Sequence, residues 1–457
     1  MITILRGELF HTPRSPFSDA GALAWFDDGA VAFDDNGGIL TTDSYLAVRR
    51  LYPDAEVHQV PDAILLPGMV DTHVHYPQLG IIGAMGLRLL EWLQTRTLPE
   101  EARLADDTVA RETARSFLRQ LVANGTTTAL VFGSHFPRAQ DILFNAAEDS
   151  GLRITSGLVV SDRELLPELH RTPEQAYDAS EALISRWHER GRLRYAVTPR
   201  FSLSCTDGML EACGASLRAR ERLFFTTHLN ENPDEIRVVA ELFPWSRDYL
   251  QTYERFSLVG ERSIFAHNVH VSDDELSRLA TAGACIAHCP SSNSFLGSGL
   301  FAMRRHLERG VRFALGSDVG AGTSFSLLSE GQFAYIAQML RPDGRRLGPA
   351  ELLYLATAAG ARALELSDQV GDFAPGKSAD LVLLRPPAGS TLRAVLQRNT
   401  SPEARLGAIF TLAREASVCE VRVAGRVVHS TLEADHDARD HGGAGETPRY
   451  RRERRGA

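Results

Sequence analysis

The sequence predicts an α/β protein: a (β/α)8 barrel carrying a small β-sandwich domain formed from both chain ends. Three observations lead there. About 300 central residues repeat a short apolar run followed by a helix-like stretch, eight times over. Both ends of the chain are instead rich in short strands and turn signals. The length, 457 residues, suits a large barrel plus one smaller module.

Residues 1–66 read as strands and turns. Thr3-Ile4-Leu5, Ala24-Trp25-Phe26 and Ala30-Val31-Ala32-Phe33 are separated by Asp-Asp and Asn-Gly-Gly signals. Residues 370–432 hold the matching apolar runs, 380–384 and 418–428, so one β domain is expected from two distant segments. The centre, 67–369, contains the eight runs 69–74, 126–132, 154–160, 195–199, 223–229, 263–269, 284–289 and 311–317. Helical periodicity separates them, for example over 107–124, 173–190, 206–220, 273–282 and 300–309. Strand-then-helix repetition implies a parallel sheet with crossovers, and eight units suit closure into a barrel. An open doubly wound sheet is the alternative, although no G-x-G-x-x-G follows the first strand. Residues 433–457 are polar, Gly-bearing and end in an arginine cluster, and are expected to form a disordered tail.

Composition narrows the function classes. Hydrophobic residues make up 44% and charged residues 23%, ordinary for an enzyme with a sizeable core. The net charge of −9 disfavours nucleic acid or an anionic membrane as partner and leaves a small neutral substrate open. Five cysteines, sparse and odd in number, are no disulfide framework. Arg6 and Glu8 interrupt any leader-like apolar run, and no stretch approaches the roughly 18 apolar residues of a membrane helix, so a reducing cytoplasm is expected. Lys377 is the only lysine.

The chemistry is concentrated at the ends of the predicted strands. The first run closes as Asp71-Thr72-His73-Val74-His75. Residues two apart on a strand share a face, so the imidazoles of His73 and His75 converge at the strand's C-terminal end, the catalytic face of a barrel. Later strand ends place His228, His267 and Asp318 similarly, and Glu231 lies three residues past His228. Three histidines and an aspartate suit zinc or another first-row divalent ion, with Glu231 free to move a proton without being a ligand.

Together, Pro67-Gly68-Met69-Val70-Asp71-Thr72-His73-Val74-His75, the later strand-end histidines and Gly316-Ser317-Asp318 resemble the amidohydrolase superfamily. The segment 371–381 is similar to that superfamily's return into its β domain, and the resemblance covers about residues 1–430. Two-metal members carry a carboxylated lysine in the barrel. Lys377 lies outside it, so the resemblance implies a mononuclear site of the deaminase-like branch, which shares the His228-Leu229-Asn230-Glu231 pattern. Segments 89–93, 124–128, 198–205 and 287–293 are similar to guanine deaminases in particular. The resemblance implies one zinc per subunit held by His73, His75, His228 and Asp318, and Glu231, Asp318 and His267 as catalytic residues. It places Gln78, Arg200 and Phe201 with His228, His267 and Asp318 around a purine. It further implies hydrolysis of guanine to xanthine and ammonia, and a cytoplasmic homodimer.

Two alternatives differ in kind. One is a related deaminase or chlorohydrolase acting on 8-oxoguanine, a pterin, a triazine or an adenosine derivative. The other is an inactive scaffold barrel, against which the complete set of candidate ligands speaks. Asp71, on the opposite strand face, is a candidate support for the ligands from behind. His135 and His288 fall near strand ends and are candidates for the pocket wall. Trp92 either covers the substrate or packs a loop. Cys285 and Cys289 are expected as buried core thiols.

Overall fold

The structure, a computed structural model, describes residues 1–432, so the expectation for 433–457 lies outside the described residues. The N-terminal segment supplies β1 (Ile2–His11), β2 (Ala24–Asp34), β3 (Ile39–Ser44) and β4 (Glu56–Pro67). The C-terminal segment supplies β14 (Leu381–Leu384), β15 (Val418–Val423) and β16 (Arg426–Ser430). All seven join one sheet in the order β16-β15-β14-β4-β1-β2-β3, with β4 and β14 pairing antiparallel across the two segments. One face is closed by Leu5, Leu9, Val31, Phe33, Leu65 and Phe373, and the other by Ile4, Ala30, Ala32 and Val48.

The turn expected at Asp27-Asp28 is not there. Gly7 pairs with Gly29 and Leu9 with Phe26, so both aspartates occupy a bulge inside β2. Asp28 is paired with Arg6 of β1 (Nε to Oδ1 2.7 Å) rather than turned to solvent at a reversal. The Asn36-Gly37-Gly38 turn does join β2 to β3. Gly37 has φ 77°, and a Cβ there would stand 2.1 Å from the Ala424 carbonyl oxygen, so only glycine fits.

Between the two segments run β5 (Met69–His75), β6 (Thr126–Phe132), β7 (Arg153–Gly157), β8 (Val159–Val160), β9 (Leu193–Pro199), β10 (Phe224–Leu229), β11 (Ser263–His267), β12 (Cys285–His288) and β13 (Arg312–Leu315). They form a parallel sheet ordered β5-β6-β7-β9-β10-β11-β12-β13, with β8 resuming the β7 direction against β9. The expected run 154–160 is thus interrupted at Leu158, whose N–H turns to the Tyr195 hydroxyl (3.1 Å). The barrel closes beyond β13, where Asp318 N donates to the His73 carbonyl (2.8 Å), His75 N to the Val319 carbonyl (2.9 Å) and Thr72 Oγ1 to the Leu315 carbonyl (2.8 Å). The open-sheet alternative is therefore excluded. Val70, Leu130, Ala196, Phe224, Ile264, Cys285, Ala287 and Cys289 share one buried cluster, which makes Cys285 and Cys289 the core thiols expected.

Helices 107–123, 173–187, 207–219 and 273–282 follow the expected periodicity, and 303–308 is a shorter version of 300–309. Two further helices, Thr391–Leu396 and Pro402–Leu412, leave the β domain between β14 and β15. Leu392, Leu396, Leu406, Ile409 and Phe410 bury themselves in the same apolar core as the barrel. No helix among the described residues is long and apolar enough to cross a membrane.

Candidate active site

The four candidate ligands come from three places in the chain and meet at one point. His73 and His75 project from the end of β5, His228 from the end of β10, and Asp318 from the segment just past β13. Their four donor atoms all lie within 4.8 Å of one another, and all four side chains are buried. The Nε2 atoms of His73 and His75 are each 3.2 Å from Asp318 Oδ1 and 3.1 Å from each other, and His228 Nε2 is 3.3 Å from His75 Nε2. A cation about 2.1 Å from each of four tetrahedral ligands would set neighbouring donors about 3.4 Å apart. The residues present therefore fit a single small divalent ion.

The backbone holds this set in register. Asp71 is fully buried, and its Oδ1 accepts from Ser317 N (3.0 Å) and His73 N (3.1 Å) while Oδ2 accepts from Ser317 Oγ (2.5 Å). The two ligand-bearing segments are thus tied to one carboxyl group behind the ligands. Gly316 lets them approach, since a Cβ there would meet His73 Cβ at 2.9 Å. His228 Nδ1 is 2.7 Å from the Arg200 carbonyl, an acceptor only, so the proton sits on Nδ1 and Nε2 presents its lone pair. Phe132, at the end of β6, packs on the rings of His73, His75 and His228 with centroids 4.6 to 4.9 Å away.

Burial sets the charge states. It lowers all three histidines, His75 to about 4 and His228 well below the ordinary range, so the imidazoles are neutral and free to ligate. Burial alone would raise Asp318, but hydrogen bonds from His73 and His75 hold its carboxyl well below the usual range and keep it anionic. Glu231 behaves oppositely: burial, and then the charge of Asp318, pushes it up to about 8. Two carboxyls in one pocket are therefore set for different work.

His267 stands beside both. Its Nε2 is 3.5 Å from Glu231 Oε2 and 3.8 Å from Asp318 Oδ2, and its Nδ1 is fixed by Asn293 Oδ1 (2.9 Å). Ser298 Oγ donates to Glu231 Oε1 (3.0 Å). His267 (φ 71°) and Asp318 (φ 50°) adopt left-handed backbone conformations, a local cost that aims their side chains into the pocket, while Asn230 (φ 51°) and Asn268 (φ 47°), also left-handed, bond each other and Glu275 and His306 behind it.

The pocket itself is lined by His75, Gln78, Leu89, Trp92, Leu93, Arg200, Phe201, His228, Glu231, His267, Leu296, Asp318 and Ala321. All the residues singled out from the sequence for chemistry are there except His73, which sits underneath with its Nε2 against Asp318. Trp92 lines the wall, and its buried Nε1 has no partner among the described residues. His135 does not line the pocket. It lies behind, with Nε2 3.2 Å from Glu101 Oε2. His288 is also outside, stacked on Phe301 at 4.4 Å. Sequence reasoning missed Glu101, Asn293 and Ser298 as participants. Asn293 ends the segment 287–293 that runs off the seventh strand, a placement that could have marked it. Glu101 could have been sought as the carboxylate that a buried Arg200 requires.

With this geometry in hand, the amidohydrolase family profile matches residues 64–428. A probable guanine deaminase of Deinococcus radiodurans is 56% identical over 430 residues, covering 93% of this chain and 98% of that protein. The solved structure of E. coli guanine deaminase superposes with a TM-score of 0.89 at 36% identity, over 94% of this chain and 99% of that one. A C. acetobutylicum guanine deaminase solved with guanine in its active site superposes with a TM-score of 0.86 at 27% identity, over 94% and 100%.

Proposed function

We propose that this chain, which belongs to the amidohydrolase family, is a guanine deaminase that hydrolyses guanine to xanthine and ammonia. One observation carries the reading: a four-ligand site and the raised carboxyl of Glu231 share a single pocket with Arg200, Phe201 and Gln78, in a chain 56% identical to a probable guanine deaminase. Three imidazoles and a carboxylate favour zinc, one per subunit, with His73, His75, His228 and Asp318 as its ligands. When bound, the ion supplies Lewis acidity that brings a water's pKa toward neutrality.

The rest is done by the chain's own groups. Asp318, anionic in its buried setting, takes a proton from the water that attacks the amino-bearing C2 of the base. Glu231, whose carboxyl is raised by burial, gives a proton to the ring nitrogen beside C2; the proton taken up by Asp318 goes to the departing amine, and Glu231 recovers one from the new C2 hydroxyl as the carbonyl forms. His267 stands between the two carboxyls and positions water and ring. Arg200 and Gln78 offer N–H donors to acceptors of the base, and Phe201 an apolar surface. A pocket built of such buried donors discriminates strongly against bases lacking the matching acceptors.

A cytoplasmic homodimer completes the proposal. A stripe of exposed apolar side chains, Tyr335, Ile336, Met339 and Leu340, on the helix Leu327–Leu340 supports the self-association. Purified enzyme assayed for ammonia release on guanine, 8-oxoguanine, a pterin, an aminotriazine and adenosine tests the substrate assignment. Guanine should be turned over with the highest kcat/KM, and preference for any other compound would overturn it.

A further inference from the structure

We propose that Glu101 is a positioning residue for the base: it fixes which hydrogen-bonding groups Gln78 and Arg200 show to the purine, and it cancels the charge of Arg200 so that the pocket holds a neutral base and releases an anionic one. This rests on the guanine deaminase reading above and concerns a residue outside the pocket lining. Glu101 lies on the short helix Leu98–Ala102, not at a barrel strand end, and is 3% exposed. Arg200 Nη1 donates to both its oxygens (2.8 and 2.7 Å), Gln78 Nε2 to Oε1 (2.8 Å), and His135 Nε2 to Oε2 (3.2 Å). Burial alone would raise this carboxyl, but the charge of Arg200 and the hydrogen bond from His135 hold it well below the usual range.

A carboxylate only accepts hydrogen bonds, so Gln78 must turn its amide nitrogen toward Glu101. The amide oxygen then meets the backbone N–H of Gly320 at 3.1 Å. Both contacts select the same flip, and the amide has one orientation. It is left with one N–H and one oxygen lone pair for the base. Arg200 is pinned through Nη1 alone, which leaves Nη2 and Nε without a partner among the described residues. The wall facing the base is therefore rich in donors yet neutral in sum, because the charges of Glu101 and Arg200 cancel. Guanine is neutral near physiological pH, whereas xanthine ionises close to it. An uncompensated guanidinium in this buried wall would favour the product over the substrate.

Glu101→Gln tests this. The amide keeps the volume and one acceptor for Arg200, removes the charge, and sets an N–H against that of Gln78. KM and kcat for guanine would be measured. Competitive inhibition by xanthine and hypoxanthine would be compared at mildly alkaline pH, where xanthine is largely anionic and hypoxanthine neutral. KM should rise about ten- to a hundredfold with kcat within about tenfold of wild type. The affinity ratio of xanthine over hypoxanthine should rise at least about tenfold, a quantity that general damage to the pocket leaves unmoved. Unchanged KM and an unchanged ratio would overturn the proposal. Should E101Q fail to fold, the double variant Q78E/E101Q restores one carboxylate beside Arg200 and one complementary N–H. It should return the xanthine ratio to the wild-type value while KM for guanine stays high, because a carboxylate now faces the base; wild-type KM in the double variant would also overturn the proposal. If wild-type enzyme releases no ammonia from guanine, the functional reading falls and this inference with it, an outcome seen without any variant.

Discussion

Replacing Glu231 by glutamine isolates proton transfer from everything else the pocket does. Glu231 is not among the four convergent ligands, and its polar neighbours are Ser298 Oγ at 3.0 Å and His267 Nε2 at 3.5 Å. An amide of the same shape still accepts from Ser298. Burial pushes the carboxyl up, toward the neutral form that the amide mimics. Folding stability should therefore change by less than about 1 kcal/mol, and the metal should stay. What is lost is a positioned acid and base, which contributes about 10²- to 10⁴-fold, or about 3–5 kcal/mol of barrier. The assay is ammonia release at saturating guanine, alongside metal content and melting temperature of the same preparation. A fall in kcat of at least about a hundredfold with full metal is expected. A variant with kcat within about threefold of wild type would refute the shuttle role, and one that had lost its metal would place Glu231 among the ligands.

Three further outcomes follow from the same geometry. Asp71→Ala leaves the Ser317 and His73 N–H groups unpaired behind the ligands, a loss of about 2–6 kcal/mol, whereas Asp71→Asn keeps an acceptor for both and should cost clearly less; urea unfolding and metal retained on dialysis would show it, and equal losses would contradict the latch. Glu330 is buried with its carboxyl pushed up from 4.5 to about 8 by desolvation, so the folded state holds a proton that the unfolded chain releases; its contribution is full below about pH 4.5 and is lost as pH rises through about 8. Zinc-loaded wild type should thus lose about 3 kcal/mol relative to Glu330→Gln between pH 5 and pH 7, and parallel denaturation curves would contradict this. Chelation should lower the melting temperature and added zinc restore it, because an ion held only by the folded quartet stabilises by mass action; no shift would mean that the site binds no ion under those conditions.

Much of the barrel was legible because its signals are local. An apolar run ending in His-x-His states both a buried strand and a shared face, and the later runs end in residues that apolar packing does not favour. The shared end domain was legible for the same reason. What escaped was set by partners distant in sequence. The Asp27-Asp28 pair reads as a turn until Arg6, from the neighbouring strand, is seen opposite it. Glu101 lies in an ordinary Pro-Glu-Glu helix start, and only folding brings it to Arg200, 99 residues away. The left-handed conformations of His267 and Asp318 have no glycine to announce them. The helices between β14 and β15 bury against the barrel rather than extending the sheet to which their flanking strands belong. Ligand types at strand ends can be read one at a time, whereas the groups that orient them depend on packing.

Metal held by His73, His75, His228 and Asp318 is proposed to support deamination of guanine. The most direct test is ammonia release from guanine by the purified enzyme before chelation, after chelation, and after zinc is returned. Turnover, near-complete loss and recovery are expected, in that order. Turnover that survives removal of the metal, or a zinc-loaded enzyme inert toward guanine, would contradict it.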